Sequence, residues 1–489
     1  MIEGLKPYPE YRDSIAPWFG DVPSHWAVNR LGALFGERGE TNERREVTNI
    51  LSVLKDRGVI PYTEKGRIGN KASDDIGRYK IVQPDDLVVN CMNVIIGSLG
   101  RSRYTGCLSP VYYVLRRRDP KNDPRYLELL FQHRPFHQSL IRIGNGILAH
   151  RMRIPMEKLK AELLPLPPPD EQAAIVRFLD HANRKIDGFI RAKRKLIGLL
   201  NEQKQAIIHR AVTRGLDRPQ ISQISAEEAG TAHRHPSAQS VDKPLKPSGI
   251  PWLGEIPAHW EVCFLRMRYS VELGKMLDAK RITGNHLVPY LRNRDVQWDR
   301  ILVEELPRMD ILPSEHDRYT VRKGDLLVCE GGQVGRCAFW NDELPVCGFQ
   351  KALHRVRAQS PDRDCPRFLF YQLFLCVAFG IFAADGNENT IAHLTCEKLR
   401  RHRFVFPTRD EQEQIASYLD DELKSLNTAI ARTEREIALM QEYRTRLTAD
   451  VVTGKLDVRE AAAKLPDLTP STPEPAADEP PEEPGEEAE

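Results

Sequence analysis

Residue types able to do covalent chemistry are present in this chain, but their spacing is wrong for catalysis. The nine cysteines (Cys91, Cys107, Cys263, Cys329, Cys337, Cys347, Cys365, Cys376 and Cys396) include no Cys-x-x-Cys pair. Structural zinc sites and redox dithiols are built on such close spacing, so reduced and mostly buried thiols are the expectation. No Gly-x-x-x-x-Gly-Lys-Ser/Thr stretch is available to cradle nucleotide phosphates. Gly331-Gly-Gln-Val-Gly335-Arg is glycine-rich, but it follows a strand pattern without dinucleotide-loop spacing and opens no helix. Neither an Asn-Pro-Pro-Tyr-like tetrapeptide of amino-methyltransferases nor a Pro-Asp…Glu-x-Lys nuclease cluster stands out. His25 and His259 each precede a tryptophan, where packing and backbone hydrogen bonding are the expected role. The chemistry that remains is recognition through charge and hydrogen bonds.

The elements that would position such recognition are announced by an internal repeat. Pro17, Trp18, Gly20, Pro23, His25 and Trp26 return in register as Pro251, Trp252, Gly254, Pro257, His259 and Trp260, so four of the six tryptophans coincide. Asp86-Leu-Val-Val resembles Asp325-Leu-Leu-Val, and Pro-x-x-Asp170-Glu-Gln resembles Pro-x-x-Asp410-Glu-Gln. Val212-Thr-Arg-Gly-Leu-Asp217 matches Val452-Thr-Gly-Lys-Leu-Asp457. Two related halves follow, each with a divergent strand-rich stretch and then a long helix. Asp170 and Asp410 are placed to cap the helix starts. Ile175, Leu179, Ala182, Ile186 and Ile190 begin one narrow apolar stripe that runs on to Ile207; Ile415, Leu419, Glu422, Leu426 and Ile430 begin the other, which runs on to Val451. Helices so long and so thinly striped need a partner helix, and the other repeat supplies one.

Length alone implies at least two domains. No segment reaches the roughly 18 uncharged apolar residues of a membrane span, and the first residues lack an apolar signal core, so a cytoplasmic protein is expected. Pro466 to Glu489 holds nine acidic residues and no basic one, so the net +2 of the whole chain leaves +11 on the rest. That sign suits a polyanionic partner.

Taken together, the twinned tryptophan motifs, helix starts and helix ends resemble those of type I restriction–modification specificity subunits, over nearly the whole chain. The resemblance implies an α+β fold with two target-recognition domains of mixed α/β type. Each is followed by a long helix, and the two helices pair as an antiparallel coiled coil with pseudo-twofold symmetry. Residues 1–20 are then an N-terminal segment, 21–158 and 247–395 the recognition domains, 159–217 and 396–464 the spacer helices, 218–246 a linker and 465–489 a disordered acidic, Pro-rich tail. The implied role is non-catalytic. It consists of reading a split, asymmetric site on double-stranded DNA and docking two methyltransferase subunits and the restriction (translocase) subunits. S-adenosylmethionine, ATP and magnesium would sit on those partners, with no cofactor, metal or membrane contact in this chain.

Base readout needs Arg, Lys, Asn or Gln presented to base edges. In the first domain Lys65, Arg67, Asn70 and Lys71 lie in a glycine-rich loop, and Arg101, Arg103 and Tyr104 form a second group. In the second domain the candidates are Arg292, Asn293, Arg294, Gln297, Gln333, Arg336 and Lys351. Arg116-Arg-Arg118 and Arg191-Ala-Lys-Arg-Lys195 read as solvated faces. A coiled-coil scaffold without sequence-specific DNA binding would explain the helices but not two divergent domains carrying a basic excess. A single-chain restriction enzyme or methyltransferase would need a cofactor pocket or metal-binding acids.

Overall fold

Each Asp-Leu-aliphatic-Val stretch becomes the central strand of a four-stranded antiparallel sheet. The computed structural model describes residues 5–16, 18–55, 57–66, 71–73, 75–146, 152–216, 244–277, 284–382 and 393–466. The tail, apart from Leu465 and Pro466, and the linker up to residue 243 lie outside the described residues. Among the described residues two units result: those up to Lys193 together with 435–466, and those within Arg194–Glu434. Each unit therefore contains part of both long helices, rather than one recognition domain with its own whole helix.

In the first unit the sheet strands are β1 (Phe35–Glu37), β2 (Leu87–Asn90), β3 (Leu99–Arg101) and β4 (Tyr112–Arg117), in the order β1-β4-β2-β3. Side chains alternate across a strand. Leu87 and Val89 therefore join the core against α1 (Pro124–Gln132), while Val88 joins Leu51, Val53 and Val59 of a hairpin on the other face. Chain continues through Leu163–Leu166, which pairs with Ala27–Arg30, into α2 (Pro169–Arg214).

The second unit repeats this plan. Its strands β5 (Tyr269–Leu273), β6 (Leu326–Cys329), β7 (Cys337–Phe339) and β8 (Leu353–Ala358) follow the order β5-β8-β6-β7, with α3 (Pro366–Ala378) against one face. Arg403–Phe406 pairs with Glu261–Phe264 and leads into α4 (Arg409–Val452). The aspartate before each central strand is buried and doubly used. Asp86 accepts from the Gln83 backbone N–H at 2.8 Å and pairs with Arg38 at 2.7 Å. Asp325 accepts from the Arg322 N–H at 2.7 Å and pairs with Arg357 at 2.6 Å. A buried carboxylate needs such partners, which accounts for the repeat at those positions.

The two helices span 46 and 44 residues, about 65–70 Å each at 1.5 Å per residue. In the first unit Ile175, Phe178, Leu179 and Ala182 of α2 share a core with Leu447, Val451 and Val452 of α4. Asp187–Arg444 at 2.9 Å and Lys193–Glu436 at 2.6 Å show the antiparallel sense, since residue numbers rise on one helix as they fall on the other. In the second unit Ile208, Ala211 and Val212 of α2 meet Ile415, Ala416, Leu419 and Leu423 of α4, and Lys204 donates to Asn427 at 2.9 Å. The stripe passes through buried Leu423, leaving Glu422 exposed, a correction to the expected register. A carboxylate stays solvated when the neighbouring leucine can take the inward position.

The helix starts differ from expectation as well. Asp170 and Asp410 do not cap; both are exposed residues of the first turn. Because α2 opens with Pro169, which has no N–H to satisfy, the boundary lies earlier, and the carbonyl of Pro168 receives the Gln172 N–H at 2.9 Å. At α4 the corresponding acceptor is the Thr408 carbonyl, also at 2.9 Å. The fully buried glutamines complete the junction. Gln172 accepts from the Asp123 N–H at 2.8 Å and donates to the Pro167 carbonyl at 2.9 Å. Gln412 does the same with the Cys365 N–H and the Pro407 carbonyl, both at 2.9 Å. Each thereby ties a helix start to the first turn of α1 or α3.

At the far end of α4, Gly454 has φ +74° and sits against the first tryptophan motif. A Cβ there would lie 2.6 Å from Pro23 Cδ and 3.0 Å from the Trp26 ring. Gly454→Ala should lower unfolding free energy by about 2–3 kcal/mol. Gly20→Ala, also at positive φ (+79°) but with nothing within 4 Å of the added Cβ, should cost only about 1 kcal/mol. Urea unfolding of the two variants measures both, and equal shifts would remove the packing argument.

Candidate nucleic-acid interface

Reading residues are useful only if their domain is held firmly, and the twinned His-Trp pairs provide part of that hold. Glu171, the second residue of the Asp-Glu-Gln motif, is buried and accepts from Trp26 Nε1 at 2.8 Å and Tyr8 Oη at 2.5 Å, with His25 Nε2 at 2.8 Å. Burial, with this carboxylate alongside, pushes the Tyr8 phenol up and keeps it a donor. In the second unit Glu411 holds His259 Nε2 at 2.8 Å, but the Trp260 indole N–H has no hydrogen-bond partner among the described residues. The histidines thus bind side-chain carboxylates rather than the backbone partners expected from sequence. The glutamate lies 146 or 152 residues after the histidine, so no local signal marks the contact.

The candidate readers divide by what already occupies them. In the second unit four segments converge at one edge. Gln350 N–H donates to the Leu291 carbonyl at 2.9 Å and Lys351 N–H to the Lys275 carbonyl at 3.0 Å. Asn293 donates to the Gly331 carbonyl at 2.9 Å and accepts from Arg336 at 3.0 Å. Arg292 forks onto Asp295 at 2.8 and 2.9 Å, and Gln297 donates to the Arg294 carbonyl at 2.8 Å. Arg336 is buried. Arg294, Gln333 and Lys351 remain exposed at this edge. Lys275, which sequence reasoning did not single out, joins it and pairs with Glu315 at 2.5 Å; nothing in its local sequence marks it.

In the first unit Arg67 and Asn70 lie outside the described residues. Lys65 is buried with its ammonium 4.7 Å from the Tyr62 ring centroid, whereas Lys71 is exposed. Tyr62 Oη also accepts from the Ala72 N–H at 2.9 Å, which brings the two ends of that loop together. Arg101 pairs with Asp85 at 2.6 Å and Glu128 at 3.5 Å, leaving Arg103 and Tyr104 exposed beyond it. Of the Arg116–Arg118 run, Arg116 is exposed, Arg117 donates to the Asn122 carbonyl at 2.7 Å and Arg118 to that of Gly32 at 3.1 Å. The nine cysteines are free thiols, eight of them buried, and burial pushes Cys263 up to about 11 and Cys347 up to about 12.

A family model described as the type I restriction modification DNA specificity domain matches residues 260–438. The type I restriction enzyme MjaVIII specificity subunit of Methanocaldococcus jannaschii is 21% identical over 464 residues, 90% of this chain and 94% of that protein. The type I restriction enzyme EcoBI specificity subunit of Escherichia coli is 23% identical over 430 residues, 84% of this chain and 82% of that protein. Over most of its length the chain is thus similar to type I specificity subunits, and residues 260–438 match their DNA specificity domain. A chain from a solved structure concerned with complex assembly and conformational transition of the type I R-M system shares the fold. Its TM-score is 0.54 at 15% identity, over 89% of this chain and 99% of that one. Among the described residues no helix is long and apolar enough to cross a membrane.

The division between occupied and exposed residues separates scaffold positions from those left as candidate readers. Arg336→Ala should cost about 2 kcal/mol or more in unfolding free energy, because it removes a buried guanidinium and strands the half-buried Asn293 oxygens that accept from it. Arg294→Ala and Gln333→Ala should stay within about 0.5 kcal/mol of the parent. Urea midpoints for the three variants test the assignment, and a large loss for the two exposed positions would count against it.

Proposed function

We propose that this chain is a type I specificity subunit that reads an asymmetric, bipartite DNA site, one half per recognition domain, and holds two methyltransferase subunits and the restriction subunits. The observation that carries the reading is the repeated sheet, β1-β4-β2-β3 and β5-β8-β6-β7, bearing different side chains at its edges. Lys71, Arg103 and Tyr104 are exposed in one unit, and Arg294, Gln333 and Lys351 in the other. One scaffold with two sets of hydrogen-bonding groups reads two different half-sites. The gap between them is unread and of constant length, set by the spacer helices.

The exposed lysines and arginines supply the salt-dependent phosphate contacts, and the amide groups add base discrimination. S-adenosylmethionine, ATP and magnesium are bound by the partner subunits, and the complex works in the cytoplasm. A genome-wide map of methylated bases, in cells carrying the methyltransferase partner with and without this gene, tests the reading. Methylation should vanish at one split, asymmetric motif when the gene is removed. Replacing residues 21–158 with those of another specificity subunit should change one half of that motif only. An unchanged map, with partner expression verified, would overturn the proposal.

A further inference from the structure

The arginine that follows the proline at the start of α1 and α3 occupies the same place in both units. In the second unit Arg367 Nε donates to Asp420 Oδ1 on α4 at 2.8 Å, and its Nη2 donates to Asp299 Oδ2 at 2.8 Å. Its guanidinium carbon lies 4.8 Å from the Phe370 ring centroid and 5.3 Å from that of Tyr371, whose hydroxyl also donates to Asp420 at 2.5 Å. Asp299 is the second residue of the two-residue turn that closes the Val296–Gln297 and Arg300–Ile301 pairing, and it holds φ +55°. Trp298, the other turn residue, packs 5.2 Å from the Phe374 ring of α3. The turn is therefore pinned to α3 by an indole and to α4 by a two-carboxylate guanidinium bridge. Gln297, Arg294 and Asn293 sit on the chain immediately before it.

The first unit has the same device with one more link. Arg125 Nε lies 3.8 Å from Asp180 on α2, and Arg125 Nη1 donates to Glu128 at 2.6 Å. Glu128, a buried carboxylate, accepts from the Arg101 backbone N–H at 3.1 Å and faces Arg101 Nε at 3.5 Å. Arg101 ends β3, directly before exposed Arg103 and Tyr104. Asp180 and Asp420 hold equivalent places on α2 and α4, each ten positions after the aspartate of the Asp-Glu-Gln motif, and Pro124-Arg125 and Pro366-Arg367 open the equivalent helices. Different intermediate residues thus complete the same path from spacer helix to reading edge.

We infer that Arg125 and Arg367 are positioning residues for base readout, each locking the reading edge of its own domain to its own spacer helix. The inference rests on the proposed one-domain-per-half reading. A bidentate contact to a base edge tolerates little displacement, so loosening the edge costs discrimination between bases, while phosphate contacts adapt. Because the two bridges are separate, each governs one half-site.

The test uses the full chain assembled with its methyltransferase partner and duplexes carrying the motif mapped for the parent protein. Competition binding at physiological salt compares the intact motif with duplexes mismatched in the first half or the second. For Arg367→Gln, discrimination against mismatches in the half read by the second domain should fall about tenfold, with the other half unchanged. Arg125→Gln should show the reverse pattern, and Asp420→Asn should resemble Arg367→Gln. A general loss of folding lowers the active fraction but does not alter one ratio selectively. Should Arg367→Gln fail to accumulate, Asp299→Asn breaks the same bridge from its more exposed side. Unchanged ratios in the variants, or equal loss in both halves, would overturn the inference while the parent still discriminates both. A parent that discriminates only one half, or neither, would instead overturn the underlying functional reading.

Discussion

A long helix with an apolar stripe one side chain wide cannot bury that stripe alone. This constraint organises both units of the structure. In the first, the start of α2 is covered by the end of α4; in the second, the end of α2 is covered by the start of α4. Each core is completed by the sheet and tryptophan motif of one recognition domain. Without the second helix, Ile175, Leu179 and Ala182 would face water in one unit, and Ile415 and Leu419 in the other. The repeat is therefore a mutual requirement, and the chain has to contain both copies of the helix before either core closes.

Polar contacts then decide how firmly each domain is held. The Asp-Glu-Gln motif distributes three tasks over three adjacent residues. Its aspartate remains in water, its glutamate receives the histidine of the His-Trp pair (and in the first unit the indole too), and its glutamine fastens the helix start to the neighbouring helix. Neither carboxylate nor amide could be buried in these places without the N–H groups that meet it. The same accounting explains Asp86 and Asp325, each closing a turn while pairing with an arginine from a neighbouring strand. Arg38, Arg101, Arg292, Arg336 and Arg357 are likewise held by acceptors within their own domains.

Much of this plan was legible in the sequence. Tryptophan, proline and glycine at matching intervals revealed the duplication, because these residues have few substitutes in turns and packed corners. The stripes of α2 and α4 were legible because helical periodicity is local. Base-reading candidates were far less legible. Arg101, Arg292 and Arg336 have the same composition signature as Arg103, Arg294 and Lys351, yet the first three are engaged by Asp85, Asp295 and Asn293. Those partners lie across a turn or on another strand, and their closeness is created by folding. Lys275 gave no warning at all.

Sequence by itself determined the two-copy architecture, the two long helices with most of their apolar stripes, and the family resemblance, since each depends on periodicity or on residue order. Tertiary structure alone decided the exchange of helix segments between the two cores, the glutamates that receive His25 and His259, and the arginine bridges to Asp180 and Asp420. Burial and pairing distances depend on contacts between residues more than 50 positions apart. No local pattern encodes such contacts, because the cost of burying a charge depends on whichever partner folding brings beside it.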